Sequence, residues 1–379
     1  MQLRKNYLLV TKTDEAWNVT EEEVLISEHS DRDDEEQTVK VPEIGTTLTD
    51  SETQTHISLA DAEVTNNDEV AYKNLTPGRS YPIVTIYMDE LGHVCRKDGT
   101  VILESGFDAM HYYSIGSHED TVKALEADNV LYAVTGFTPD AENGSVTVPV
   151  KYDGRPFMGR KVVAAEGVFE EGRVLAAHIE PEDEGQTVYL PKIITTAVDG
   201  RDGDKKILAG NDAAIRDTLV YEMYPEGTEI TTVLELYDVE TGKPIVVDGR
   251  PVTKTETFTA GVKGRKEITV TFNTAGLGGK KVGLVETNYL KTGGKDVVVS
   301  RDTYESNKDQ IVEIQEEVKI TPSVEPPKQQ TPPKQEKPRK IVKTGDESNA
   351  LLWIGIGMVA ALILFVMSQK RKRNHTERT

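Results

Sequence analysis

Two glutamines in this chain have a histidine eight residues ahead of them. His29 precedes Gln37, and His178 precedes Gln186. Eight residues ahead of Gln310 stands Asp302 instead. Upstream lie two threonine pairs, Thr46-Thr47 and Thr195-Thr196, and four acids in recurring blocks: Asp68, Asp217, Glu166 and Glu286. A threonine hydroxyl is a weak nucleophile that an adjacent imidazole can activate. A carboxamide is a poor electrophile that a protonated carboxyl can polarise. Two buried carboxyls sharing one proton raise the pKa this requires. Other chemistry is thinly represented. His111 and His118 lack an accompanying acidic pattern, so no metal site is expected. Cys95 has no Cys–His partner pattern, and a single cysteine excludes an internal disulfide framework. No phosphate loop or dinucleotide motif occurs, so no cofactor is expected.

These residues recur because the chain repeats. Pro42–Thr47 returns as Pro191–Thr196, Asp68–Tyr72 as Asp217–Tyr221, and Gln37–Val39 as Gln186–Val188, each 149 residues on. Later blocks keep their order at a shorter offset: Gly159-Arg160-Lys161-Val162 with Glu166 matches Gly279-Lys280-Lys281-Val282 with Glu286. Repeat one therefore carries an insertion of roughly 29 residues, within about 95–145. Residues 1–41 read as the tail of an incomplete repeat, 42–190 as repeat one and 191–318 as repeat two.

The elements that must position these residues read as strands. Ser145–Val150 and Glu267–Phe272 alternate apolar and polar residues, the period-two mark of a half-buried strand. Turn signals such as Thr76-Pro77-Gly78 and Thr241-Gly242-Lys243-Pro244 separate them. Short strands between regular turns predict an all-β class of tandem sandwich repeats. Only 111–130, inside the insertion, has room for a helix.

The threonine pair, the Asp-x-Val-x-Tyr block, the Lys-Val-Val…Glu block and the His–Gln spacing together resemble the VaFE repeats. These are the Thr–Gln ester-bond domains of Gram-positive surface proteins. The resemblance covers 42–318 and the tail in 1–41. It implies immunoglobulin-like sandwiches in which a Thr on the first strand is esterified by a Gln on the last. Carried over by position, the linked residues are Thr46 with Gln186 and Thr195 with Gln310, with Gln37 left from the incomplete repeat. The assisting groups are Asp68, Glu166 and His178 in repeat one, and Asp217 and Glu286 in repeat two. Thr46 is favoured over Thr47. Repeat two departs from the pattern at Asp302, whose carboxylate would have to serve as the base. Ala165 and Val285 replace the family's Phe before the Glu. Such a reaction runs once per domain, so the chain is expected to be no enzyme in the turnover sense. A cross-link closing a loop of about 140 residues would stabilise repeat one by roughly 5 kcal/mol in the chain-entropy model.

The C-terminus carries a second resemblance. Ile341–Asp346 contains Thr344-Gly345. Residues 350–367 are an uncharged run, long enough for a span of roughly 17–25 residues. Lys370–Arg373 follow, and 368–379 form a basic tail that stays cytoplasmic. This order is similar to a sortase sorting signal, in which the chain is cut between Thr and Gly and the Thr is joined to peptidoglycan. Thr344 and Gly345 then flank the cut. Ile341 and Val342 depart from the usual Leu and Pro. Residues 319–340, rich in Pro, read as an extended wall spacer. An exported protein needs an apolar leader of roughly 7–15 residues, which the first 17 residues lack, so an upstream segment is expected.

The totals fit this picture. A net charge of −20 over 379 residues argues against nucleic-acid binding. The reading is a cell-surface, wall-anchored stalk supporting adhesion, membrane-spanning before sorting. Peptidoglycan is its partner through sortase, and a host or cell-surface ligand would be met by the insertion. The alternatives are a pilin-like subunit, for which no lysine acceptor motif is identified, and a single-span receptor or surface enzyme.

Overall fold

A computed structural model describes residues 4–13, 19–29 and 40–316, the first two stretches by backbone alone. Gln37, the Pro-rich segment, Thr344, Gly345, the apolar run and the basic tail lie outside the described residues. Among the described residues, no helix is long and apolar enough to cross a membrane. Strands β1 (Arg4–Thr13) and β2 (Val19–His29) form an antiparallel hairpin.

The first sandwich uses β3 (Glu43–Asp50), β4 (Val64–Lys73), β5 (Tyr81–Met88), β6 (Tyr132–Phe137), β7 (Gly144–Tyr152), β8 (Arg160–Glu170), β9 (Arg173–His178) and β10 (Thr187–Leu190). One sheet has the order β3-β4-β7. The other has the order β10-β8-β5-β6, with β9 also paired to β8. The insertion supplies two short helices, α1 (Ala109–Tyr113) and α2 (His118–Ala127), where the sequence allowed one. Asp108 and Ser117 cap them through their side chains, satisfying amide donors that helix starts leave free.

The second sandwich uses β11 (Lys192–Asp199), β12 (Lys206–Leu208), β13 (Ala213–Glu222), β14 (Thr228–Asp238), β15 (Lys243–Pro244), β16 (Val246–Val247), β17 (Arg250–Pro251), β18 (Thr253–Ala260), β19 (Lys263–Phe272), β20 (Lys281–Thr292), β21 (Lys295–Thr303) and β22 (Ile311–Gln315). Its sheets are β11-β13-β19 and β12-β22-β20-β14-β15, with β18 on β14 and β21 on β20. A two-stranded ribbon of β16 and β17 stands apart. Both units are therefore two-layer β-sandwiches, as the strand periodicity requires.

A polar layer divides each core. On β4, Val64, Asn66, Asp68, Val70 and Tyr72 form the buried row; on β8, Val162, Ala164, Glu166 and Val168 do the same. Leu48, Val64, Val162 and Ala164 belong to one apolar cluster, and Val70, Tyr72, Ile83 and Val168 to another. Asp68 and Glu166 lie between the two. The second sandwich repeats the plan. Ala197, Ile215, Val282 and Leu284 lie in one cluster, and Ile193, Leu219 and Tyr221 in the next. Thr195, Asp217 and Glu286 sit between them. Period two forces this result: a residue at an even offset from core residues must itself face the core.

Candidate functional site

The first sandwich brings Thr46, Asp68, Glu166, His178 and Gln186 to one layer. Ladder register does most of the positioning. Glu166 on β8 is paired with Thr85 on β5 and with His178 on β9. Asp68 faces Leu48, two residues beyond Thr46, across the other sheet. Thr46 is half-buried and its neighbour Thr47 exposed, because adjacent strand residues point to opposite faces. Thr46 Oγ1 donates to Glu166 Oε2 at 2.9 Å. Thr85 Oγ1 donates to Asp68 Oδ2 at 3.1 Å. His178 Nε2 lies 3.0 Å from Asp183 Oδ2, and Asp183 Oδ1 accepts from the Gly185 amide.

Gln186 does not lie on the last strand, as the sequence suggested. It ends a one-turn 3₁₀ helix, Glu184–Gln186, that leads into β10. Gln310 likewise ends the turn Lys308–Gln310 ahead of β22. A residue in a turn can point into the core without having to continue a ladder, and both glutamines are fully buried.

The electrostatics follow from burial. Asp68 and Glu166 are both inaccessible to solvent. Asp68 Oδ1 and Glu166 Oε1 have no hydrogen-bond donor if both groups are ionised. One proton held between them satisfies both oxygens. Burial pushes the Asp68 carboxyl up to about 6, against smaller lowering effects from hydrogen bonds to Glu166 and Thr85 and from His178. Burial, then the neighbouring Asp68 charge, holds Glu166 well above the usual carboxylate range. Both polar atoms of the Gln186 amide also lack a partner. Leaving such groups unpaired in a core costs roughly 1–3 kcal/mol each.

The second sandwich assembles Thr195, Asp217, Glu286 and Gln310, all fully buried. Gln310 Nε2 donates to Thr195 Oγ1, and to Asp217 Oδ1 at 3.0 Å. Asp302 on β21 is paired with Glu286 on β20, the register place that His178 holds against Glu166. Its Oδ2 accepts from Thr195 Oγ1 at 2.8 Å and from the Thr195 amide at 3.0 Å. Burial raises Asp217, and burial with the Asp217 charge raises Glu286 well above its ordinary range. Leu234 replaces Thr85 as the cross-strand partner of the Glu, so Asp217 loses that hydroxyl donor. Sequence reasoning missed Asp183, Thr85 and Asn307. A signal existed for two of them: an Asp or Asn stands three residues ahead of each glutamine.

Two clusters among the described residues have donor atoms close enough for a metal: His178 with Glu180 and Asp183, and Asp199 with Asp202 and Asp204. The His178–Asp183 hydrogen bond accounts for the first, and the second makes turn-internal contacts to backbone amides. His111 stacks on Phe107, and His118 pairs with Glu119.

Comparison with protein-family models matches residues 42–190 and 191–314 to the T-Q ester bond containing domain. The chain belongs to that family. No curated protein matches it in sequence. Among solved structures, it is similar to a bacterial adhesin from Mobiluncus mulieris described as containing intramolecular disulfide, isopeptide and ester bond cross-links. One form of that adhesin aligns at 11% identity and TM-score 0.31, over 66% of this chain and 81% of the adhesin. A second form aligns at 14% identity and TM-score 0.29 over the same shares. Red sea bream transglutaminase aligns at 6% identity and TM-score 0.22, over 74% of this chain and 32% of its own. Scores this low carry no functional argument. The T-Q domain match stands on its own, and each of its two segments contains one of the polar layers described above.

Proposed function

We propose that each T-Q domain of this chain joins its own Thr to its own Gln by an ester. The observation that carries this reading is the same layer in both sandwiches, a Thr beside a buried Gln and a buried carboxyl pair. Thr Oγ1 attacks the Gln side-chain carbonyl carbon and forms a C–O bond. The proton held by the carboxyl pair stabilises the charge developing on the carbonyl oxygen. The base takes the hydroxyl proton and passes it to the amide nitrogen. The C–N bond breaks, and one ammonia leaves. Exclusion of water then protects the ester. The protein reacts once and has no turnover.

The wider role is a mechanically stable surface stalk. Residues 319–340 space it from the wall, Thr344 and Gly345 mark the sortase cut, and residues 350–367 hold the precursor in the membrane. Adhesion through the stalk follows from its exposure at the surface. Intact mass decides the chemical part. The full chain is expected to weigh two ammonia molecules less than its composition, and Thr46→Ala and Thr195→Ala one less each. Thr47→Ala should lose both. A full composition mass for the unaltered chain would sink the ester reading.

A further inference from the structure

In both sandwiches, the residue three places ahead of the glutamine does two jobs with two arms. In the first, Asp183 Oδ1 caps the turn carrying Gln186, at 2.8 Å from the Gly185 amide. Its Oδ2 meets His178 Nε2 at 3.0 Å. In the second, Asn307 Oδ1 caps the turn carrying Gln310, at 3.0 Å from the Asp309 amide. Its Nδ2 donates to Asp302 Oδ2 and to the Thr195 carbonyl, both at 2.8 Å. Asp and Asn have the same shape, so the capping arm is unchanged. Only the other arm inverts, from hydrogen-bond acceptor to donor. It inverts where the group it holds changes from an imidazole, which has an N–H to give, to a carboxylate, which has none. An aspartate in place of Asn307 would set two carboxylates against each other beside buried Glu286 and Asp217.

We infer that Asp302 is the catalytic base of the second domain and Asn307 its positioning residue, forming a unit exchangeable as a pair for His178 and Asp183. This rests on the ester reading above. The Thr195 hydroxyl proton moves to Asp302 Oδ2, then to the Gln310 nitrogen as its bond to carbon breaks, so ammonia leaves and Asp302 is regenerated as a carboxylate. Asn307 holds Oδ2 on Thr195 and never carries the proton.

The exchange has a consequence in acid. An imidazole accepts a proton only while neutral, with an ordinary midpoint of about 6.5. An ordinary aspartate stays ionised down to about 3.9. The charged groups facing His178 are Asp183, Glu180, Glu166 and Asp68. Those facing Asp302 are Glu286 and Asp217. The two domains should therefore differ in how linkage responds between pH 7.5 and 5.5, and the difference should travel with the exchanged pair.

The test uses the full chain, synthesised cell-free, collected in urea and diluted into buffers at both pH values. Peptide mapping scores the Thr46–Gln186 and Thr195–Gln310 links separately. We expect Asp302→Asn to abolish the second link and spare the first. Asp302→His alone should link poorly, because its imidazole meets the Asn307 amide. Asp302→His with Asn307→Asp should restore the link and give it the first domain's pH profile. Near-ultraviolet circular dichroism checks that each variant folds. The inference is overturned if folded Asp302→Asn links normally, if the single His variant matches the double, or if the unaltered second domain stays unlinked while the first links. Absence of both links in the unaltered chain would instead overturn the ester reading itself.

Discussion

Asp68 is the residue at which the site's cost to the fold can be measured. Its carboxyl is raised from an ordinary 3.8 to about 6 by burial. In that interval the folded state binds a proton that the unfolded state releases. The group's contribution is therefore fully present below about 3.8 and lost as pH rises through about 6. At ordinary free-energy conversion, a shift of that size corresponds to about 3 kcal/mol. Glu166, raised well above its own range, acts in the same direction. The ester would mask this dependence, so the suitable background is Thr46→Ala. In it, the first domain is expected to unfold at lower denaturant at pH 7.5 than at pH 5. Adding Asp68→Asn, which stays neutral throughout, should remove the Asp68 share of that slope and leave the share due to Glu166. An unchanged slope would show that Asp68 is not held protonated in the fold. The matching of His178 to Asp183, and of Asp302 to Asn307, belongs to the same scale. Each polar arm is a donor or an acceptor according to the side chain it touches.

At the scale of elements, the insertion supports the first site from behind. Strands β5 and β8 are buried on both faces, because α1 and α2 cover the side away from the sandwich core. Tyr113 on α1 donates its hydroxyl toward the Val84 carbonyl at 3.1 Å and the Ala165 carbonyl at 2.7 Å, each next to a site residue. Its ring lies against Gly167, where an added Cβ would sit 2.9 Å from it. Tyr113→Ala in the Thr46→Ala background should cost the first domain about 3–5 kcal/mol, the range for emptying a large aromatic site. Denaturant unfolding monitored on that domain measures it, and a loss below about 1 kcal/mol would show the insertion to be dispensable. This covering also explains what was legible in sequence. Strands such as β7 and β19 alternate because one face meets solvent. Strands β5 and β8 do not, so their type is unreadable from period alone. Thr46, Asp68, Glu166 and Gln186 were found because they repeat. Asp183 and Asn307 were not, because a hydrogen bond that inverts between repeats erases residue identity. The 3₁₀ turns under the glutamines escaped notice because three residues carry no period.

At the scale of the molecule, an ester in each domain would decide where force travels. In each sandwich the Thr lies on the first strand, and the Gln just ahead of the last. A pull on the chain ends enters at β3 or β11 and leaves at β10 or β22. Without a cross-link, only interstrand hydrogen bonds resist, and each is worth about 1 kcal/mol net. With one, the load passes through the bond and the residues between the linked pair cannot extend. In the second domain that segment is 115 residues, which at about 3.5 Å per residue is roughly 400 Å of hidden length. The first domain hides roughly 490 Å on the same reckoning. Single-molecule stretching of the full chain should therefore show neither extension before rupture. Thr195→Ala should release the shorter step alone, and Thr46→Ala the longer. If the unaltered chain already unravels by both lengths, the domains are not cross-linked under load, and a stalk built from them would yield at ordinary sandwich forces. If Asp302→Asn releases the shorter step as Thr195→Ala does, the base and the nucleophile are tied to one mechanical function. A single carboxylate on β21 would then set whether half of the stalk can be stretched.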